Sequence, residues 1–162
     1  MRNFQKRVTT GVYLLRGEEI LFLVRDKEND EIHTKGMYLP IGGHVEFNEE
    51  ISVAAKREVL EESGISVNSL ILAGVVHFRG QQEEHDLTMF VFTSEDFSGE
   101  AVKGREGDFE WVSMKDVFAK QIYEGDKIFI KYMLDKKFFV IDFLFDGNKM
   151  LDHKILTLRD NN

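Results

Sequence analysis

Between Gly43 and Ile65 the chain gathers more carboxylates where a core ought to form than any other stretch does, and this constrains the fold most. From Glu49 to Ser63 the composition is helical, and Gly64 supplies the residue a helix C-terminus favours, one free to adopt the left-handed conformation. The helix is expected to stop there. At 100° per residue Glu58, Glu61 and Glu62 share an arc of roughly 100° on one face. Counting back along that face gives Ile51, Ala54 and Ala55, so the stripe is apolar in its first half and anionic in its second. Two like charges ~6 Å apart repel by a few kcal/mol at an effective dielectric of about 20. A stripe that turns anionic while still facing the protein therefore needs a cation, or must take up protons. Oxygen donors, with no cysteine in the chain and no histidine in the helix, suit a hard divalent ion such as Mg2+ or Mn2+ better than zinc. The plainer alternative is a solvated acidic helix face, and the flanks weigh against it.

Those flanks read Gly43-x5-Glu49-x7-Arg57-Glu58-Val59-x-Glu61-Glu62-x-Gly64-Ile65, preceded by Leu39-Pro40-Ile41-Gly42-Gly43-His44. The pattern resembles the Nudix box at all nine of its defined positions over 23 residues. The resemblance implies an α/β fold in which a mixed sheet is sandwiched between helices, a hydrolase of phosphoanhydride bonds, and Mg2+ or Mn2+ as cofactor. It implies that the Gly43 carbonyl belongs to the metal site, and that Arg57 joins the catalytic group by an orienting ion pair with Glu49. Glu58 and Glu62, one turn apart, are the best candidate ligands, with Glu61 as a further ligand or the group that activates water. Spacing does not choose which carboxylate is the base. Glu106, five residues before Trp111, stands where several family members present another metal-site carboxylate from a loop; by itself it reads as a surface charge.

With 162 residues and 43% hydrophobic content the chain suits one well-buried core, and a single domain over residues 1–162 is expected. A net charge of −8 disfavours tracking along a nucleic-acid polymer or an anionic membrane and leaves room for a small anionic substrate bridged by a metal; the resemblance implies that this partner is a nucleotide. A homodimer is left open. The absence of cysteine excludes disulfide and thiolate chemistry. Residues 1–10 lack the apolar centre of a signal peptide, and no run of 18 apolar residues occurs, so a cytoplasmic address is expected.

The rest of the chain reads as scaffold. Residues 8–15 and 20–25 form β-rich runs around a turn, and 26–36 a loop. Pro40 ends any regular ladder before the Gly42-Gly43 turn. Residues 70–79 and 87–93 read as strands around a polar loop at 80–86, 94–108 as a loop and 109–112 as a short strand, with Ser113 capping a short helix. A helix follows at 125–135, and strands at 138–145 and 149–156 flank Asp146-Gly147-Asn148, a hairpin signal. No P-loop, dinucleotide-binding glycine motif, nucleophile-elbow or HExxH pattern competes.

Residues 126–155 also resemble the C-terminal part of Nudix enzymes that hydrolyse oxidised purine nucleoside triphosphates such as 8-oxo-dGTP. The resemblance implies that Tyr123 stacks on a purine while Asp126 accepts hydrogen bonds from its edge; the competing expectation makes Asp126 the cap of the following helix. Gly125 replaces one acid of the pair found in the animal enzymes, and Leu39 stands where they carry a base-binding asparagine. His44, just after the glycine turn, has the best claim of the histidines to a substrate role. The alternative substrates are ADP-ribose, a dinucleoside polyphosphate or a capped RNA end. A non-catalytic nucleotide sensor is a further alternative, disfavoured because Glu58, Glu61 and Glu62 are all kept.

Overall fold

The computed structural model describes residues 7–26, 35–80 and 86–156. The loops expected at 26–36 and 80–86 fall largely outside them. Ten strands occur among the described residues: β1 (Arg7–Arg16), β2 (Glu19–Arg25), β3 (Tyr38–Leu39), β4 (Ser66–Val67), β5 (Ile71–Arg79), β6 (Leu87–Ser94), β7 (Phe97–Ser98), β8 (Gly107–Ser113), β9 (Phe139–Asp146) and β10 (Lys149–Ile155). Eight of them form one sheet in the order β10-β9-β5-β6-β1-β2-β3, with β8 also paired to β2. β1 runs parallel to β6 and β5 parallel to β9, while the other pairs are antiparallel, so the sheet is mixed as expected.

Alternation along the strands divides the core in two. Val12 and Leu14 of β1, with Leu21 of β2 and Phe92 of β6, meet the buried Ala55 and Val59 of helix α1 (Ile51–Ser63) on one face. Tyr13, Ile20 and Phe22 point to the other face, where Phe129, Ile130 and Met133 of helix α2 (Glu124–Leu134) cover them together with Phe139, Ile141 and Phe143 of β9. Each such fully buried large apolar side chain contributes about 1.5–3 kcal/mol. The sheet is thus sandwiched between helices. Among the described residues no helix is long and apolar enough to cross a membrane.

Several boundaries differ from the sequence reading for local reasons. α1 begins at Ile51 rather than Glu49, because the Glu49 carboxylate accepts the Glu46 amide at 2.9 Å and closes a turn ahead of the helix. It ends as expected, with Gly64 at φ 78° donating its amide to the Leu60 carbonyl. The short strand expected at 109–112 extends over Gly107–Ser113, because β8 pairs with β2 from Arg25 to Glu19. Ser113 caps no helix; its carbonyl accepts the Asp116 amide at 2.8 Å and a single 3-10 turn follows at Val117–Ala119. The expected loop at 94–108 contains β7, which pairs with β4 in a two-residue ladder too short to show a period. α2 begins at Glu124 after Tyr123 and makes Asp126 its third residue, so Asp126 does not occupy the cap position.

Candidate active site

The site begins where β1 hands its ladder to the glycine turn. Val12 and Ile41 exchange backbone bonds at 2.7 and 3.1 Å, and the Thr10 amide donates to the Gly43 carbonyl at 2.9 Å. Gly42 and Gly43 are there for close approach. A Cβ on Gly42 would lie 1.8 Å from the Thr10 carbonyl oxygen, and one on Gly43 would lie 2.5 Å from the Glu58 carboxyl carbon. Any side chain at Gly43 would displace Glu58.

Arg57 ties the acids together. Its guanidinium donates to both Glu49 oxygens at 2.7 and 3.0 Å, to Glu58 at 2.8 Å, to Glu61 at 3.3 Å and to the His44 carbonyl at 3.1 Å. A planar fork with five donors can satisfy so many acceptors where lysine cannot. Arg57 holds the Glu49 carboxyl below the usual carboxylate range, with the Glu46 amide adding to the effect. The three helix acids then diverge in environment. Glu61 is 60% exposed and Glu58 16%, whereas burial pushes Glu62 up to about 8, with the charges of Glu106 and Glu58 adding to it and the Gly42 amide and Arg25 opposing it. One Glu62 oxygen is buried without a hydrogen-bond partner.

Glu106 reaches this place by way of the loop after β7. The Val102 amide donates to the Ser63 carbonyl at 2.9 Å, and Gly104 approaches the Glu62 backbone so closely that a Cβ would lie 2.4 Å from its carbonyl oxygen. Glu106 faces Arg25 at 3.9 Å.

From the glycine turn a cleft of about 520 Å3 runs between the sheet and the start of α2. Arg25, Leu39, Gly42, Gly43 and Glu106 line it together with Tyr123, Gly125 and Asp126 from the start of α2. Asp126 is only 7% exposed and makes no side-chain hydrogen bond among the described residues, so burial alone pushes its carboxyl up to about 7. The cleft also presents Thr9 and Thr10, whose hydroxyls are buried without partners, and the unpartnered Nε of Arg25. These three residues were missed from sequence. Arg25 left a signal, a cation closing an otherwise apolar run; the threonines left none, being ordinary strand residues. His44 is exposed and does not line the cleft; its backbone serves instead, bridging Thr9 and accepting from Arg57.

Residues 5–133 match the family model described as NUDIX domain, well over half of the 162 residues. The chain belongs to the Nudix family. It is a Nudix hydrolase similar to the oxidized purine nucleoside triphosphate hydrolase of Danio rerio, with 30% identity over 126 residues, 77% of this chain and 81% of the relative. The enzyme of the same description from Mus musculus is 27% identical over 150 residues, covering 92% and 94%. Among solved structures, a mutator MutT protein from Bacillus halodurans superposes with a TM-score of 0.81 over 92% of this chain and 97% of its own, at 24% identity. That likeness speaks for the Nudix fold. β9 and β10 lie beyond the matched stretch and nevertheless extend the same sheet.

Nudix hydrolases generally work with divalent metal ions. Among the described residues no three His, Cys, Asp or Glu side chains already close on one point; Arg57 engages Glu58 and Glu61, while Glu62 is faced by Glu106. The donor set nonetheless fits a hard cation. It is all oxygen, one carboxylate oxygen is buried and unpartnered, and like charges oppose the ionisation that a cation would restore.

Proposed function

We propose that the chain is a Mg2+- or Mn2+-dependent pyrophosphohydrolase that cleaves an oxidised purine nucleoside triphosphate, such as 8-oxo-dGTP, to the monophosphate and pyrophosphate. The observation that carries this reading is one continuous cleft that joins the glycine turn and Glu106 to the buried, unpartnered Asp126 below Tyr123. The oxidized purine nucleoside triphosphate hydrolase activity for which the Danio rerio and Mus musculus relatives are named supports it.

Glu58 and Glu62, with Glu61, Glu106 and the Gly43 carbonyl, would hold the metal, whose chemistry is to neutralise phosphate charge and make water a better nucleophile. The remaining steps belong to this chain's own groups. Arg57 fixes the rotamers of Glu49 and Glu58. Arg25, which lines the cleft and faces Glu106, donates to a phosphate oxygen. A glutamate on α1 takes the proton of the attacking water. At the far end Tyr123 covers one face of the base, while Asp126, Thr9 and Thr10 meet its polar edge.

Hydrolysis of a nucleotide panel in 18O water tests the reading. The panel spans oxidised and unmodified purine and pyrimidine triphosphates, ADP-ribose, a dinucleoside polyphosphate and a capped RNA. Pyrophosphate and a monophosphate are expected from the triphosphates, fastest with oxidised purines. Direct release of orthophosphate, or preference for one of the last three substrates, overturns it.

A further inference from the structure

The two helices close on the same backbone conformation with different residues. Gly64 holds the left-handed place after α1, where glycine meets no steric cost. After α2 that place belongs to Lys136, at φ 54°. The Lys136 amide donates to the Met133 carbonyl at 3.0 Å and the Lys137 amide to the Tyr132 carbonyl at 2.9 Å, a full cap that glycine would make with less strain. Cations do favour a helix C-terminus, but Lys131 and Lys137 supply them without the left-handed cost.

Lys136 and Lys137 also stand at the mouth of a second cavity, of about 480 Å3, and make no ion pair among the described residues. Leu15, Leu72, Met114, Met133, Leu134 and Phe138 form its walls, and Leu72 and Phe138 are exposed there. It is remote from the cleft. Leu15 lies about 17 Å along β1 from Thr10, and the cavity takes the last turn of α2 where the cleft takes the first. β5 bulges beside it, between Leu72 and Gly74, and a bulge re-aims side chains. Glu95 is the one carboxylate residue among the lining residues, against two lysines, in a chain of net charge −8. Leucine and methionine walls adapt to a flexible chain, and the lysines set positive charge where such a chain would end.

We propose that this cavity is a second ligand site, for a free amphiphile with one alkyl chain and a carboxylate head. The chain lies against the apolar walls, and the head meets Lys136 and Lys137. That placement accounts for a lysine where glycine would serve the fold better.

Calorimetric titration of the full chain with octanoate, decanoate, acetate and decyltrimethylammonium, each below its micellar concentration, tests this. Decanoate is expected to bind with a Kd below about 1 mM, and about threefold or more tighter than octanoate, because two further CH2 groups leave water. Acetate and the cationic amphiphile should not bind in that range. Lys136→Gly should weaken decanoate by about fivefold, the upper scale of a partly exposed ion pair, while Tm holds or rises because glycine relieves the left-handed turn. A lysine that only caps the helix would give the rise without the loss. Phe138→Glu, at an exposed wall position, should abolish binding and checks the site independently of the cap. Absence of decanoate binding below about 1 mM, equal affinity for decyltrimethylammonium, or a wild-type isotherm in either variant overturns the proposal. An isotherm altered by Asp126→Asn also overturns it, by placing the amphiphile in the cleft. Self-association lost in Phe138→Glu, with no decanoate bound, would instead make the cavity an interface between copies of this chain.

Discussion

Glu49, Glu58 and Glu61, assigned to the phosphate end, are tied by Arg57 within one helix and the turn before it, whereas the groups assigned to the base come from two elements: Thr9 and Thr10 of β1 hold buried hydroxyls without a partner, and Asp126 of α2 is buried with no side-chain hydrogen bond among the described residues. The first arrangement is complete before substrate arrives, so its geometry is the same for every nucleotide. The second is left unfinished, and each buried polar group without a partner costs about 1–3 kcal/mol, which a ligand of matching pattern relieves. Rate and base preference should therefore separate by mutation. Glu62 belongs to neither extreme, since it sits on the helix of the first group with an unpartnered oxygen like the second.

The largest effect that tests this contrast is expected from Glu58→Gln and Glu62→Gln, which should each lower kcat/KM by 10²-fold or more for every base and shift the metal dependence. Near-normal turnover in either, measured across a magnesium titration, would remove that residue from the ligand set. Arg57→Gln comes next, with a loss on the order of tenfold or more, again uniform across bases, and a lower Tm. Arg57→Lys should recover little of it, because an ammonium cannot make the paired bonds to Glu49. Recovery by lysine would show that charge alone is needed.

At the other end Asp126→Ala should lower kcat/KM by roughly 10- to 100-fold for purine triphosphates, the scale of about 1–3 kcal/mol for a lost polar contact, and leave pyrimidines little changed. Equal losses on both would break the separation of the two ends. Smaller still, Tyr123→Ala should cost a few-fold on purines, matching about 0.5–1.5 kcal/mol for an aromatic contact; an unchanged KM for purines would argue against stacking.

The pH dependence of stability gives a slope rather than a rate. In the folded chain without added metal, Asp126 is raised to about 7 and Glu62 to about 8, against unfolded values of about 4. Between those limits the folded state binds more protons than the unfolded state, so stability falls as pH rises from about 4 to 8 and is level below that window. Asp126→Asn should flatten the slope up to about pH 7, and Glu62→Gln should flatten its remainder. Urea unfolding in a chelating buffer at several pH values measures this; a wild-type slope of opposite sign would contradict the burial of both groups.

How much could be read in advance differed in the same way between the two ends. The helix acids were legible because neighbours at i, i+3 and i+4 share a face whatever surrounds them, and Gly64 announced where that face ends. Asp146-Gly147-Asn148 announced the last hairpin for an equally local reason, with Gly147 at φ 56° in the turn. The two-residue ladder of β4 and β7 and the full length of β8 were not legible, since each follows from a partner far away in the chain. His44 was singled out by its motif position, whereas whether its side chain enters the cleft depends on the fold, which leaves that side chain exposed and its carbonyl on Arg57.

The sequence by itself determined which carboxylates share one helix face and which arginine can reach them, because a helix converts spacing directly into proximity. Only the tertiary structure decided that Glu62 is half-buried while Glu61 is exposed, and that Arg25, Thr9, Thr10 and Asp126 share one cleft. Burial and long-range juxtaposition depend on how the sheet, the loop carrying Glu106 and α2 close over one another, and no interval along the chain encodes them.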